Sequence, residues 1–205
     1  MTHLLDLIHP DAGTVLISEW RTGTPERTRA AADAVIQEWA AAEPPPARLA
    51  QHLFVATDGT GLLHYAQWTS DEDHLAWARA HRTAVISRVD TLVPGIERPG
   101  LNRTRLHRSV VHDAGPRPGV FAVTMTTAVE ETENTENTAT PVTGLLATHI
   151  HLTADGGRAI VVSEWTDAAA HETAAADAPG VRTYTLRHAL TDGHGQEQYD
   201  ARPPA

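Results

Sequence analysis

The 205-residue chain carries 16 Lys+Arg against 26 Asp+Glu, a formal charge of −10 with histidine neutral, and every one of the cations is arginine. With no lysine and no cysteine, lysine Schiff bases, phosphate-loop lysines, thiolate nucleophiles, disulfides, iron–sulfur clusters and thiolate zinc sites are excluded. Carboxylates and 13 histidines remain for acid–base work or metal ligation, and 41 % apolar content is enough to bury a core. An acidic chain without a long basic stretch argues against nucleic acid and anionic membrane as partners. No 18-residue apolar run occurs, and Met1-Thr2-His3-Leu4-Leu5-Asp6 lacks the basic start of a signal peptide, so a soluble cytoplasmic protein is expected.

Residues 13–20, with Thr14-Val15-Leu16-Ile17, read as a first strand. Thr24 then caps a helix, Pro25 takes its first position, and Ala31, Ala34, Val35 and Trp39 recur on one face. A second strand holding His52 and a third ending at Trp68 flank Asp58-Gly59, whose turn needs positive φ and marks a hairpin. Thr69-Ser70, followed by Asp71, Glu72 and Asp73, starts a helix predicted over 71–88. Residues 100–111 form a fourth strand, and Asp113-Ala114-Gly115-Pro116-Arg117-Pro118 is a polar, proline-rich linker.

The second half opens on a strand over 119–129. In place of the first helix stands the Glu/Asn/Thr tract 130–141, which has no apolar face and reads as a solvated loop. A strand with His149, an Asp155-Gly156 turn, a strand ending at Trp165, a helix over 167–177 and a strand over 180–190 follow. Residues 193–205 are expected to be a flexible tail.

Trp68 and Trp165, His52 and His149, and His74 and His171 are each 97 residues apart. Three landmarks at one offset point to an internal repeat. Each half is then β-α-β-β-α-β, a ferredoxin-like unit, over 13–112 and, shortened, over 119–191. A four-stranded sheet covered on one face needs a partner for the other, and two such units can pack sheet to sheet as an α+β pseudo-dimer.

Leu62-Leu63-His64-Tyr65-Ala66-Gln67-Trp68-Thr69-Ser70-Asp71-Glu72, echoed by Ile160-Val161-Val162-Ser163-Glu164-Trp165-Thr166-Asp167, resembles the antibiotic biosynthesis monooxygenase superfamily of dimeric α+β barrels. The shared pattern is a third strand ending in tryptophan, then a polar cap and an acidic helix start. The resemblance implies a pocket between helices and sheet, lined by that tryptophan. It also implies a cofactor-independent monooxygenase of secondary metabolism that oxidises phenol- or anthrone-type, polyketide-like aromatics, with molecular oxygen as co-substrate and no metal. In such chemistry a base deprotonates an acidic phenol, the anion passes an electron to dioxygen, and a dry cavity holds the radical pair.

On these grounds His64 and His74 are the candidate bases, and Trp68, Trp77, His81 and His52 the candidate substrate contacts. A helix starting near residue 70 places His74, Trp77, Ala78 and His81 on one stripe. The face of His52 depends on whether the Asp-Gly turn carries a bulge. Core filling is the competing role for Trp68 and Trp165, and solvation the competing role for His74. His149 and His151 share a strand face but have no third metal ligand nearby in sequence. Arg103, Arg105 and Arg108 can hold an anionic substrate or form ion pairs.

Haem-degrading relatives pair a first-strand asparagine with a histidine about ten residues after the tryptophan. Here Ala78 and Ala175 stand there, and asparagine occurs only at 102, 134 and 137, which disfavours haem. The alternatives are a non-oxidative cyclase or isomerase, or a non-catalytic protein that holds a small hydrophobic ligand. The partner expected is a small aromatic molecule, with the chain a monomer or a further homodimer.

Overall fold

A computed structural model describes residues 7–127, 142–175 and 180–191. In chain order the elements are β1 (Thr14–Arg21), α1 (Pro25–Ala41), β2 (Arg48–Ala56), β3 (Gly61–Trp68), α2 (Asp71–Trp77), a π-helical turn (Ala78–Arg82), α3 (Thr83–Leu92) and β4 (Glu97–Val111). Then come β5 (Val120–Thr127), β6 (Leu145–Thr153), β7 (Arg158–Trp165), α4 (Ala168–Ala175) and β8 (Arg182–Thr191). The α+β class expected from the sequence holds, with eight strands in antiparallel ladders among the described residues. The 130–141 tract and the 193–205 tail lie outside the described residues. No helix among the described residues is long and apolar enough to cross a membrane.

Packing divides the described chain into residues 9–103 with 186–191, and residues 7–8 with 104–185. In the first unit β3 sits between β1 and β2. Directly opposite residues share a face, so Ser18 with His64, and Leu16 with Ala66, point to one side of the β1/β3 ladder. Leu53, opposite His64, joins that side from β2. Helices α1 and α3 cover it: Ala31, Ala32, Ala34, Val35 and Val89 pack with Trp20, Leu53 and Leu62. Burying a leucine such as Leu53 or Leu62 contributes about 2 kcal/mol.

Helix α1 begins as its sequence dictates, with the Thr24 hydroxyl accepting from the Arg27 amide and Pro25 in the first turn. Its start is tied to the Asp58-Gly59 hairpin, because the Thr28 hydroxyl donates to the Gly59 carbonyl at 2.6 Å. Gly59 has φ +71°, the positive value that turn demands.

The single helix predicted over 71–88 is interrupted. Ser70 caps α2 as expected, accepting from the Asp73 amide at 3.1 Å. The π turn at Ala78–Arg82 then takes up an extra residue before α3. That widening rotates the helix surface, so the stripe expected through His74, Trp77 and His81 does not continue: His81 is exposed.

In the second unit β7 lies between β5 and β6, with β8 beside β5 and β4 beside β6. Its details repeat those of the first. The β2/β3 ladder shifts register between Arg48 and Ala50, and the β6/β7 ladder between Leu145 and Ala147, again 97 residues on. The Gly13 amide donates to the Trp68 carbonyl at 3.0 Å, and the Gly119 amide to the Trp165 carbonyl at 2.9 Å. The ring centroids of Trp68 and His74 are 5.1 Å apart and those of Trp165 and His171 5.2 Å, both edge to face.

Candidate functional site

The first unit holds a cavity of about 180 Å³ between its sheet and helices. Strands β1 and β3 supply Leu16, Ser18, Trp20, His64, Ala66 and Trp68 as its floor. Trp39 from α1, and His74 and Trp77 from α2, close the sides. Arg48, Arg82 and Arg98 also line it, and among the described residues no carboxylate does.

Two aromatic groups organise the interior. His64 lies 4.3 Å from Trp20 and 6.1 Å from Trp39, centroid to centroid. Trp68 contacts His74 and stands 5.6 Å from Trp77. The four indoles make flat apolar walls suited to an aromatic ring. Arg98 places its guanidinium carbon 4.2 Å from the Trp20 centroid, a cation–π contact. Asp90 holds the same guanidinium through two nitrogens, at 2.7 and 3.3 Å.

The histidines differ in state. Burial, reinforced by the Arg98 cation, pushes the His64 pKa down to about 3, and its Nε2 is sealed from solvent without a hydrogen-bond partner. Burial, then the Arg103 cation, outweighs Asp71 and holds His74 near 4. Arg103 NH2 is 3.0 Å from His74 Nδ1, while its NH1 is 3.1 Å from Asp71. Guanidinium can only donate, so Nδ1 is the acceptor and the neutral ring carries its proton on Nε2. His74 therefore offers an N–H at Nε2, whereas His64 at Nε2 has no competing partner.

Four of the six sequence candidates, His64, Trp68, His74 and Trp77, meet in the cavity. His52 does not line it: opposite Tyr65 in the ladder, it occupies the other sheet face, fully buried, 5.9 Å from the Tyr65 ring. Burial lowers its pKa to about 4. His81 is exposed within the π turn, 6.0 Å from Trp77. Sequence reasoning missed Trp20, Trp39, Arg98 and Arg48 as lining residues. The available signal was the β1/β3 alternation, which sets Trp20 two residues beyond the partner of His64, on the same face.

In the second unit His149 bonds Glu164 at 3.1 Å and Ser109 at 3.0 Å, while His151 Nδ1 reaches the Ile160 carbonyl at 3.3 Å. These contacts satisfy buried polar groups. Among the described residues no three His, Asp or Glu side chains gather as a metal site.

No protein-family model matches the sequence, and no curated protein matches it. Among solved structures, an anthrone oxidase-like protein superposes with TM-score 0.69 at 19 % identity, over 90 % of this chain and 95 % of that one. Candidate monooxygenases from Lactobacillus acidophilus NCFM and Fusobacterium nucleatum subsp. nucleatum each give TM-score 0.55 at 8 % identity. They cover 88 % and 91 % of this chain and 97 % and 98 % of their own. The fold is thus the one found in anthrone oxidase-like and monooxygenase-type proteins.

Proposed function

We propose that the protein is a monooxygenase that acts on a phenol- or anthrone-type aromatic of secondary metabolism, using dioxygen and no resident cofactor. The observation that carries this is the indole-walled cavity with two differently committed histidines. Trp20, Trp39, Trp68 and Trp77 wall the cavity around the reacting ring, leaving little room for water beside it. His74 donates from Nε2 to a substrate oxygen, and His64 accepts the acidic proton at Nε2. The electron-rich anion then reduces dioxygen, one oxygen atom stays on the ring carbon as a carbonyl, and the other leaves as water with the two hydrogens that carbon loses. The substrate supplies all the electrons, so no external reductant enters.

Oxygen uptake with anthrone-type phenols is the test. Uptake that falls on His64→Ala and on His74→Ala supports the assignment, and uptake equal to that of the double variant overturns it. The depressed His64 pKa favours one second reading, a ligand-binding protein, because a base this weak abstracts protons slowly. Aromatic binding without turnover supports that role, and conversion without oxygen identifies a cyclase or isomerase.

A further inference from the structure

The cavity is lopsided in charge. Among the described residues three arginines line it and no carboxylate does, in a chain whose formal charge is −10. Asp90 anchors the Arg98 guanidinium but is not itself a lining residue. That anchorage and the Trp20 face fix Arg98 in place. Its Nε–H is left over, buried and without a hydrogen-bond partner. Among the described lining residues the other unpartnered buried atom is His64 Nε2. A buried guanidinium donor without an acceptor costs on the order of 1–3 kcal/mol, and a ligand oxygen bearing negative charge removes that cost most fully, since charge-assisted hydrogen bonds are the strong ones.

Size sets a second condition. An apolar cavity of about 150 Å³ holds a benzene, so about 180 Å³ encloses one substituted ring, or a two-ring system with one end outside. We infer that the ligand of this cavity is an aromatic carboxylate, entering with its carboxylate at Arg98 and its ring between the indoles. This rests on the cavity being the substrate site. A phenol arrives neutral and gains little from the positive lining before it ionises, whereas a carboxylate is attracted on entry. Its charge also offsets the Arg98 field at His64, making that ring a better proton acceptor once the ligand is seated.

The test uses the full chain and two probes of the same shape, 2-naphthoate and the uncharged 2-naphthamide, in calorimetric titrations at low and high salt. Naphthoate is expected to bind about tenfold or more tightly than the amide, with the ratio shrinking as salt rises. In Arg98→Gln the preference should fall several-fold. The exposed Arg82→Gln, which leaves the core untouched, should lower it less. Equal or tighter binding of the amide overturns the carboxylate inference and leaves the cavity assignment standing. A naphthoate preference that survives both substitutions also overturns it. If neither probe binds, the inference and the proposed substrate site fall together. A rise of the His64 pKa on naphthoate binding, followed by NMR, is the signature that ordinary hydrophobic binding does not give.

Discussion

At the scale of single residues, burial sets the state of His74 first, and Arg103, a residue 29 positions away, sets it further. The guanidinium bonds Asp71 on one side and His74 Nδ1 on the other. Removing that cation relieves the repulsion that disfavours the imidazolium and leaves the Asp71 carboxylate to favour it. Arg103→Gln is therefore expected to move the His74 pKa from about 4 back toward 6.5, read from the pH dependence of its ring-proton NMR shifts. An unchanged titration would show that burial alone sets it. His74, Trp68 and Trp77 were legible in the sequence because they follow one another across a strand end and a capped helix start, where spacing alone fixes proximity. Trp20, Trp39 and Arg98 were not, because they arrive from other elements and only the register β1↔β3 and the placement of α1 bring them to His64.

At the scale of elements, each unit turns its third strand into a helix beside a glycine whose position leaves no room for a Cβ. A Cβ on Gly13 would lie 2.1 Å from the Thr69 carbonyl oxygen, and one on Gly119 2.4 Å from that of Thr166. Both obstacles are backbone and cannot swing aside. Gly13→Ala and Gly119→Ala are each expected to cost on the order of 3 kcal/mol, seen as a fall in the urea midpoint. Gly156→Ala meets no neighbour within 4 Å and faces only its φ of +69°, so it should cost about 1 kcal/mol. Equal losses at all three sites would refute the close-approach argument. The Asp58-Gly59 and Asp155-Gly156 turns and the Trp68–His74 and Trp165–His171 pairs explain why the 97-residue offset was readable: hairpin turns and strand ends use residue types that local chemistry dictates. The π turn was not readable, since Ala78-Arg79-Ala80-His81-Arg82 is as compatible with an ordinary α-helix, and the extra residue shows only once both flanking helices are seated.

At the scale of the whole molecule, five of the 13 histidines that the sequence left as the main titratable resource form a stability device of definite sign. Burial holds His52, His74 and His151 near a pKa of 4 and His64 near 3, and it lowers His188 as well. Each titrates near 6.5 when the chain is unfolded. Between those values the unfolded state binds protons that the folded state refuses, so stability is complete above about 6.5 and is lost as pH falls toward 4. Each fully buried ring contributes on the order of 1–3 kcal/mol to that loss. Acidification also reduces the net negative charge and its self-repulsion, which acts the other way. That opposing effect is a surface effect and is screened beyond about 8 Å at physiological salt, whereas the buried rings are not, so the histidines win. The urea midpoint measured in moderate salt should fall steadily between pH 7.5 and 5, and His151→Gln should shallow the slope. A midpoint that stays level or rises over that range would show that these rings accept protons within the folded protein.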